Sequence, residues 1–221
     1  MVNPETPTAQ LQHQFNYCPC SYLDESWLKE TQPWISRLQD WRKQALVNQW
    51  CIDHWQLSPI SEHIFDQRYH SLALLPVEAM NQLLLMIGGA MYSESMRRVV
   101  LKQPKQSLIH VFGVDETRFF IQQGPMLISR WPAGWQKSLP VTIDEVNLEK
   151  AARELGYSWV HFLLLNSPPE LLQRWRLKLD RQFTQTDLSA DWFDDTHQDL
   201  AYRLIKKIAK QVIPQWFHLL K

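Results

Sequence analysis

The chain has 221 residues, 45% of them hydrophobic, which is enough to bury a substantial core in one domain or one and a half. Its formal net charge is zero but unevenly spread: residues 1–66 carry four Lys/Arg against eight Asp/Glu, and residues 67–137 carry eight against four. That balance excludes a general affinity for nucleic-acid phosphate and favours protein partners, while an odd count of three cysteines excludes a disulfide framework.

In chain order, residues 1–14 hold Pro4 and Pro7 among polar residues without periodicity. They read as a flexible lead-in, lacking the basic head and apolar run of a secretory signal. Residues 15–221 then form a single helical domain. Asp24 or Ser26 caps a short helix through Trp27 and Leu28. Pro33 fits the first turn of a longer helix with Trp34, Leu38, Trp41 and Ala45 facing inward. Trp27, Trp34 and Trp41 lie seven apart, but Pro33 argues against one continuous coiled-coil helix. Residues 51–61 read as a connection, and residues 62–75 as a short helix followed by a loop.

Residues 77–101, VEAMNQLLLMIGGAMYSESMRRVVL, are the densest apolar stretch and the expected centre of the core. Val77, Met80, Leu84, Ile87 and Met91 alternate three and four apart, as one helical stripe requires. Asn81, Gln82 and two glycines interrupt the run well short of the roughly 20 apolar residues of a membrane span. The stretch divides into two helices meeting near Gly88 to Ser93, the second capped by Ser93, with Met96, Val99 and Val100 inward and Arg97, Arg98 and Lys102 outward.

Pro104 opens a helix that Gly113 closes, and Asp115 caps another that ends at residues 123–125. Residues 129–140 make a loop holding Trp131 and Trp135. Thr142 and Asp144 announce a helix with a break at Gly156 and an end at Pro168-Pro169. Residues 170–183 are amphipathic and residues 184–190 a polar linker. The last helix starts near residues 191–196 and runs to Ile213, burying Ala201, Leu204, Ile205, Ile208 and Val212 and exposing Arg203, Lys206, Lys207 and Lys210. The resulting fold class is all-α: an irregular multi-helix globule with long connecting loops and little or no sheet.

Enzymatic chemistry finds little to stand on. Asp191, Asp194, Asp195 and Asp199 cluster as Mg²⁺ ligands do in helical diphosphate enzymes, which makes a metal-dependent diphosphate enzyme using Asp194, Asp195 and Asp199 the alternative function. No second acidic cluster accompanies them, and carboxylates at a helix start satisfy the dipole unaided. Cys18-Pro19-Cys20 near His13 has the wrong spacing for zinc. No nucleophile elbow or phosphate loop occurs, so no catalytic residue, metal ligand or cofactor is assigned. The partner-binding candidates are Arg97 and Arg98, Trp131 and Trp135 as loop anchors or as a plug, and Lys206, Lys207 and Lys210 on the last helix. That helix also suits a membrane surface, a third reading.

Several segments together resemble a known family: GGAMYSESMRRVVL (88–101), RWPAGWQKSLP (130–140), AKQVIPQWFHLLK (209–221), and Tyr17-Cys18-Pro19 followed by Tyr22-Leu23. In order and length they are similar to the YscK family, also called SctK. The resemblance implies a cytoplasmic adaptor, peripheral to the inner membrane, in the sorting platform of a bacterial type III secretion injectisome. Such an adaptor joins the cytoplasmic domain of the ring protein SctD to the pod protein SctQ, and SctL indirectly, as a monomer or within the assembly. It implies no catalytic residues.

Overall fold

The structure, a computed structural model, describes residues 7–32, 34–184 and 197–220. Among these residues it is helical without a strand, as expected. Where the sequence reads as one domain, the chain divides into two compact units. The first is Met1–Ala79 with Leu164–Asp187 and His218–Lys221; the second is Met80–Leu163 with Leu188–Phe217.

The second unit is built from long helices. Most of α4 (Val77–Met91) lies in it, followed by α5 (Ser93–Met96), α6 (Lys102–Phe112), α7 (Val114–Gln122), α8 (Glu145–Leu164) and α11 (Gln198–Val212). Met80, Leu83, Leu84, Ile87, Ala90 and Met91 of α4 are all buried. The glycines expected to interrupt helices instead let two of them touch. A Cβ on Gly88 would run into the carbonyl of Ala152 on α8, and one on Gly156 into the carbonyl of Leu84 on α4. Gly156 is therefore no break, and α8 continues through it for 20 residues. Arg153 ties the same pair, donating to Asn81 O at 3.1 Å while pairing with Glu149 at 2.8 Å. Asp144 accepts the Asn147 N–H at 2.9 Å at the start of α8, and this holds its carboxyl below the usual carboxylate range. From α11, Ala201, Leu204, Ile205 and Ile208 enter the core as the spacing requires.

The first unit is assembled from short pieces: α1 (Thr8–Tyr17), α2 (Ser26–Thr31), α3 (Ala45–His54), α9 (Pro169–Leu177), α10 (Arg181–Thr184) and several 3₁₀ turns. Residues 8–14, read as lead-in, are helical. Leu11 and Phe15, four apart, are buried, a pair too sparse to show as a period in a polar stretch. The long helix expected after Pro33 is replaced by 3₁₀ turns at Ile35–Arg37 and Trp41–Lys43. Between them Asp40 takes a left-handed φ of 51° that no helix tolerates. Trp41 is consequently buried, whereas Trp34 is 54% exposed and Leu38 and Ala45 also face water. The supposed connection from Cys51 includes the end of α3, which buries Val47 and Cys51. Further 3₁₀ turns occupy Glu62–Asp66 and His70–Leu74.

Short turns leave many carbonyls unbonded, and in this unit side-chain donors satisfy them. Arg174 donates to Ser58 O at 2.8 Å and to Asn16 O and Leu57 O at 3.3 Å. One helical turn on, Lys178 donates to Ala73 O at 2.5 Å and Leu75 O at 2.9 Å. Arg42 reaches Cys20 O and Leu23 O, and the Asn16 amide exchanges two bonds with the Ile60 backbone. Arg174 and Lys178 are both buried. Loss of water lowers the basicity of each, pushing Lys178 down to about 7. The Tyr22 hydroxyl, raised by burial, donates to Phe15 O at 2.9 Å.

The three cysteines are free. Cys20 and Cys51 are buried with sulfurs 3.6 Å apart, and Cys18 is half-buried.

Candidate docking surface

Three of the segments singled out in the sequence converge in the second unit on the 3₁₀ turn Gly124–Met126. The turn packs on α5, so closely that a Cβ on Gly124 would strike the Ser93 side chain. Arg97 and Arg98 leave the C-terminal end of α5 with side chains 52% and 78% exposed. Trp131, half-buried, donates its indole N–H to Pro125 O at 3.0 Å. From α11, Lys207 donates to Leu127 O at 2.5 Å. The surface around this turn therefore carries Arg97, Arg98, Trp131 and Lys207, brought from positions spread over more than half the second unit's sequence.

Glu94 sits between the two arginines, 3.6 Å from Arg97 and 3.3 Å from Arg98. In water such pairs contribute less than about 1 kcal/mol, so the guanidinium groups stay available to a partner. Exposed apolar side chains, which the sequence reading missed, lie on the same unit. Val100, expected inward, is 88% exposed because α5 ends after one turn and the chain swings out before α6; Leu101, Val114 and Met126 are exposed too. Gly113, at φ 96°, makes the corner between α6 and α7 that sets Val114 outward. The corner is held by the Thr117 hydroxyl, 3.2 Å from Leu108 O, and by the Phe112 and Phe120 rings, edge to face at 5.7 Å.

The remaining candidates separate. Trp135 is completely buried, its ring 4.5 Å from that of Trp159, so it is the plug and not an anchor. Its loop is strapped down by Lys137 N to Met91 O at 2.9 Å and Leu139 N to Ser95 Oγ at 3.1 Å. Lys206 is half-buried with its ammonium over the Tyr202 ring, and Lys210 is exposed. Ser93, expected as a cap, is buried and makes no cap hydrogen bond.

Of the aspartate cluster, Asp191, Asp194 and Asp195 lie outside the described residues, and Asp199 sits in the first turn of α11. Among the described residues no three His, Cys, Asp or Glu side chains gather as metal ligands. No helix among them is long and apolar enough to cross a membrane. The surface has the chemistry of recognition: cations, an indole and flexible apolar side chains around one pinned turn.

Comparison with known proteins identifies the family. A family model described as YOP proteins translocation protein K (YscK) matches residues 9–221. The Yop proteins translocation protein K of Yersinia enterocolitica is 30% identical over 215 residues, covering 94% of this chain and 96% of its own. Its counterpart in Yersinia pseudotuberculosis matches to the same extent. Among solved structures, the cytoplasmic domain of the type III secretion sorting platform protein PscK from P. aeruginosa superposes with a TM-score of 0.67 at 26% identity, covering 94% of this chain and 97% of that one. Matched nearly end to end in sequence and in fold, the chain belongs to the YscK family.

Proposed function

We propose that this protein is a cytoplasmic adaptor of a type III secretion sorting platform, peripheral to the inner membrane, which bridges the cytoplasmic domain of SctD and the pod protein SctQ and reaches SctL indirectly. The observation that carries this reading is the end-to-end likeness to a protein named as a sorting platform component. The surface supports it, because Arg97, Arg98, Trp131 and Met126 offer contacts for a protein. A bridge needs two surfaces, and the basic, partly apolar face of the second unit is one of them.

Cross-linking mass spectrometry in secreting cells tests the bridge. Cross-links from this chain to both SctD and SctQ are the expected result; their absence to either one overturns it. Arg97→Glu with Arg98→Glu should remove the links to one partner while leaving the melting temperature unchanged, since both side chains are largely solvated. Retention of both sets of links in that variant excludes this surface.

A further inference from the structure

In the first unit a cavity of about 90 Å³ opens between α1, the turn His70–Leu74, the start of α4 and α9. It is large enough for several water molecules, or for a carboxylate with its methylenes. Phe15, Leu74, Pro76 and Val77 give it apolar walls, and Tyr22 and Lys178 line it as well.

Lys178 is 3% exposed. Its ammonium is held from one side by the Ala73 and Leu75 carbonyls and lies 4.7 Å from the centre of the Phe15 ring and 5.3 Å from that of Tyr22. Carbonyl dipoles and ring faces orient a cation but do not neutralise it. Among the described residues no carboxylate lies within ion-pairing distance of Lys178, and no Asp or Glu is buried, although Arg174 is buried one turn away. Half-buried Glu170 acts on Arg174, whereas Lys178 faces no acid at all. Burial alone lowers the basicity of Lys178, with no acid to offset it.

We propose that this cavity receives one carboxylate side chain, Asp or Glu, presented by a partner protein, with the Lys178 ammonium as its counter-charge. The apolar walls take the methylenes, and the dry surroundings strengthen the attraction between the charges, against the cost of stripping water from the carboxylate. Glu78, exposed at the rim, is the opposing charge and weakens entry. That the carboxylate comes from a protein rests on the adaptor reading; the carboxylate chemistry itself does not.

The test uses the full chain with ¹³C-labelled lysines at pH 7, titrated with sodium propionate, the free form of a glutamate side chain, and with neutral propionamide. The Lys178 side-chain resonance should move saturably with propionate in the millimolar range, the scale for so few atoms, and should not respond to propionamide. No saturable shift, or an equal response to both, overturns the site. Glu78→Gln, a rim change that leaves the fold intact, should tighten propionate binding severalfold; unchanged or weaker binding also overturns it. In a second arm, Val77→Phe narrows the cavity and capture of SctD and SctQ is measured. Loss of one partner supports a protein carboxylate. If capture is unchanged while propionate still binds the native chain, the protein source is overturned and the adaptor reading stands. If the native chain captures neither partner, the adaptor reading fails whatever propionate does.

Discussion

The two units solve the same problem, satisfying buried backbone, by opposite means. In the second, α4, α8 and α11 close their hydrogen bonds internally, and packing is limited only by how near two backbones can come, hence Gly88 and Gly156. In the first, short helices and 3₁₀ turns leave carbonyls that Arg174, Lys178, Arg42 and Asn16 must reach. Long helices can therefore be stabilised by apolar side chains alone, whereas a turn-rich unit requires buried donors and bears the cost of desolvating them.

The contrast can be broken at its apolar end first. Trp135→Ala removes the plug beside Trp159 and should cost about 3–5 kcal/mol in urea unfolding. Trp131→Ala, on the half-buried neighbour, should cost well under that and act on partner binding instead. Gly156→Ala comes next. On an exposed helix it would stabilise by about 1 kcal/mol, but against the Leu84 carbonyl it should destabilise by about 1–3 kcal/mol. A stabilising result would mean that the two backbones are not in contact.

The polar end is tested by Arg174→Met, which deprives Ser58 O, Asn16 O and Leu57 O of their donor. It should cost about 1–3 kcal/mol despite the added apolar volume. The last effect is one of pH. Lys178, at about 7 in the folded chain against 10.5 for an ordinary lysine, binds its proton more weakly when folded. The native protein should gain stability relative to Lys178→Met as pH rises from about 7 towards 10, with the difference level below 7. A flat difference across that window would show that the ammonium is not desolvated.

How much the sequence disclosed follows the same division. Periodicity located α4, α8 and α11 because long helices repeat their inward positions many times. It failed between Pro33 and Ala45, where an apparent stripe of Trp34, Leu38, Trp41 and Ala45 is cut at Asp40; a single left-handed residue leaves no compositional trace. Glycines were read as weak points because their use, close approach by a second helix, involves a partner distant in the chain. Arg97, Trp131 and Lys207 stand out singly in the sequence, but Trp131 and Lys207 reach the turn at Gly124–Met126 through hydrogen bonds to main-chain oxygens and α5 through the Ser93–Gly124 contact, none of which carries a side-chain signature. Lys178 went unnoticed inside an amphipathic segment where a lysine ordinarily points to water.

The reciprocal seating of Gly88 on Ala152 and Gly156 on Leu84 fixes α4 and α8 at two points, each pair four residues from the other. Shifting α4 by a whole turn would bring Leu84 or Tyr92 against the Ala152 carbonyl in place of Gly88, so the contact opposes a one-turn ratchet. The register of the two central helices is thus written in missing side chains, not in added ones.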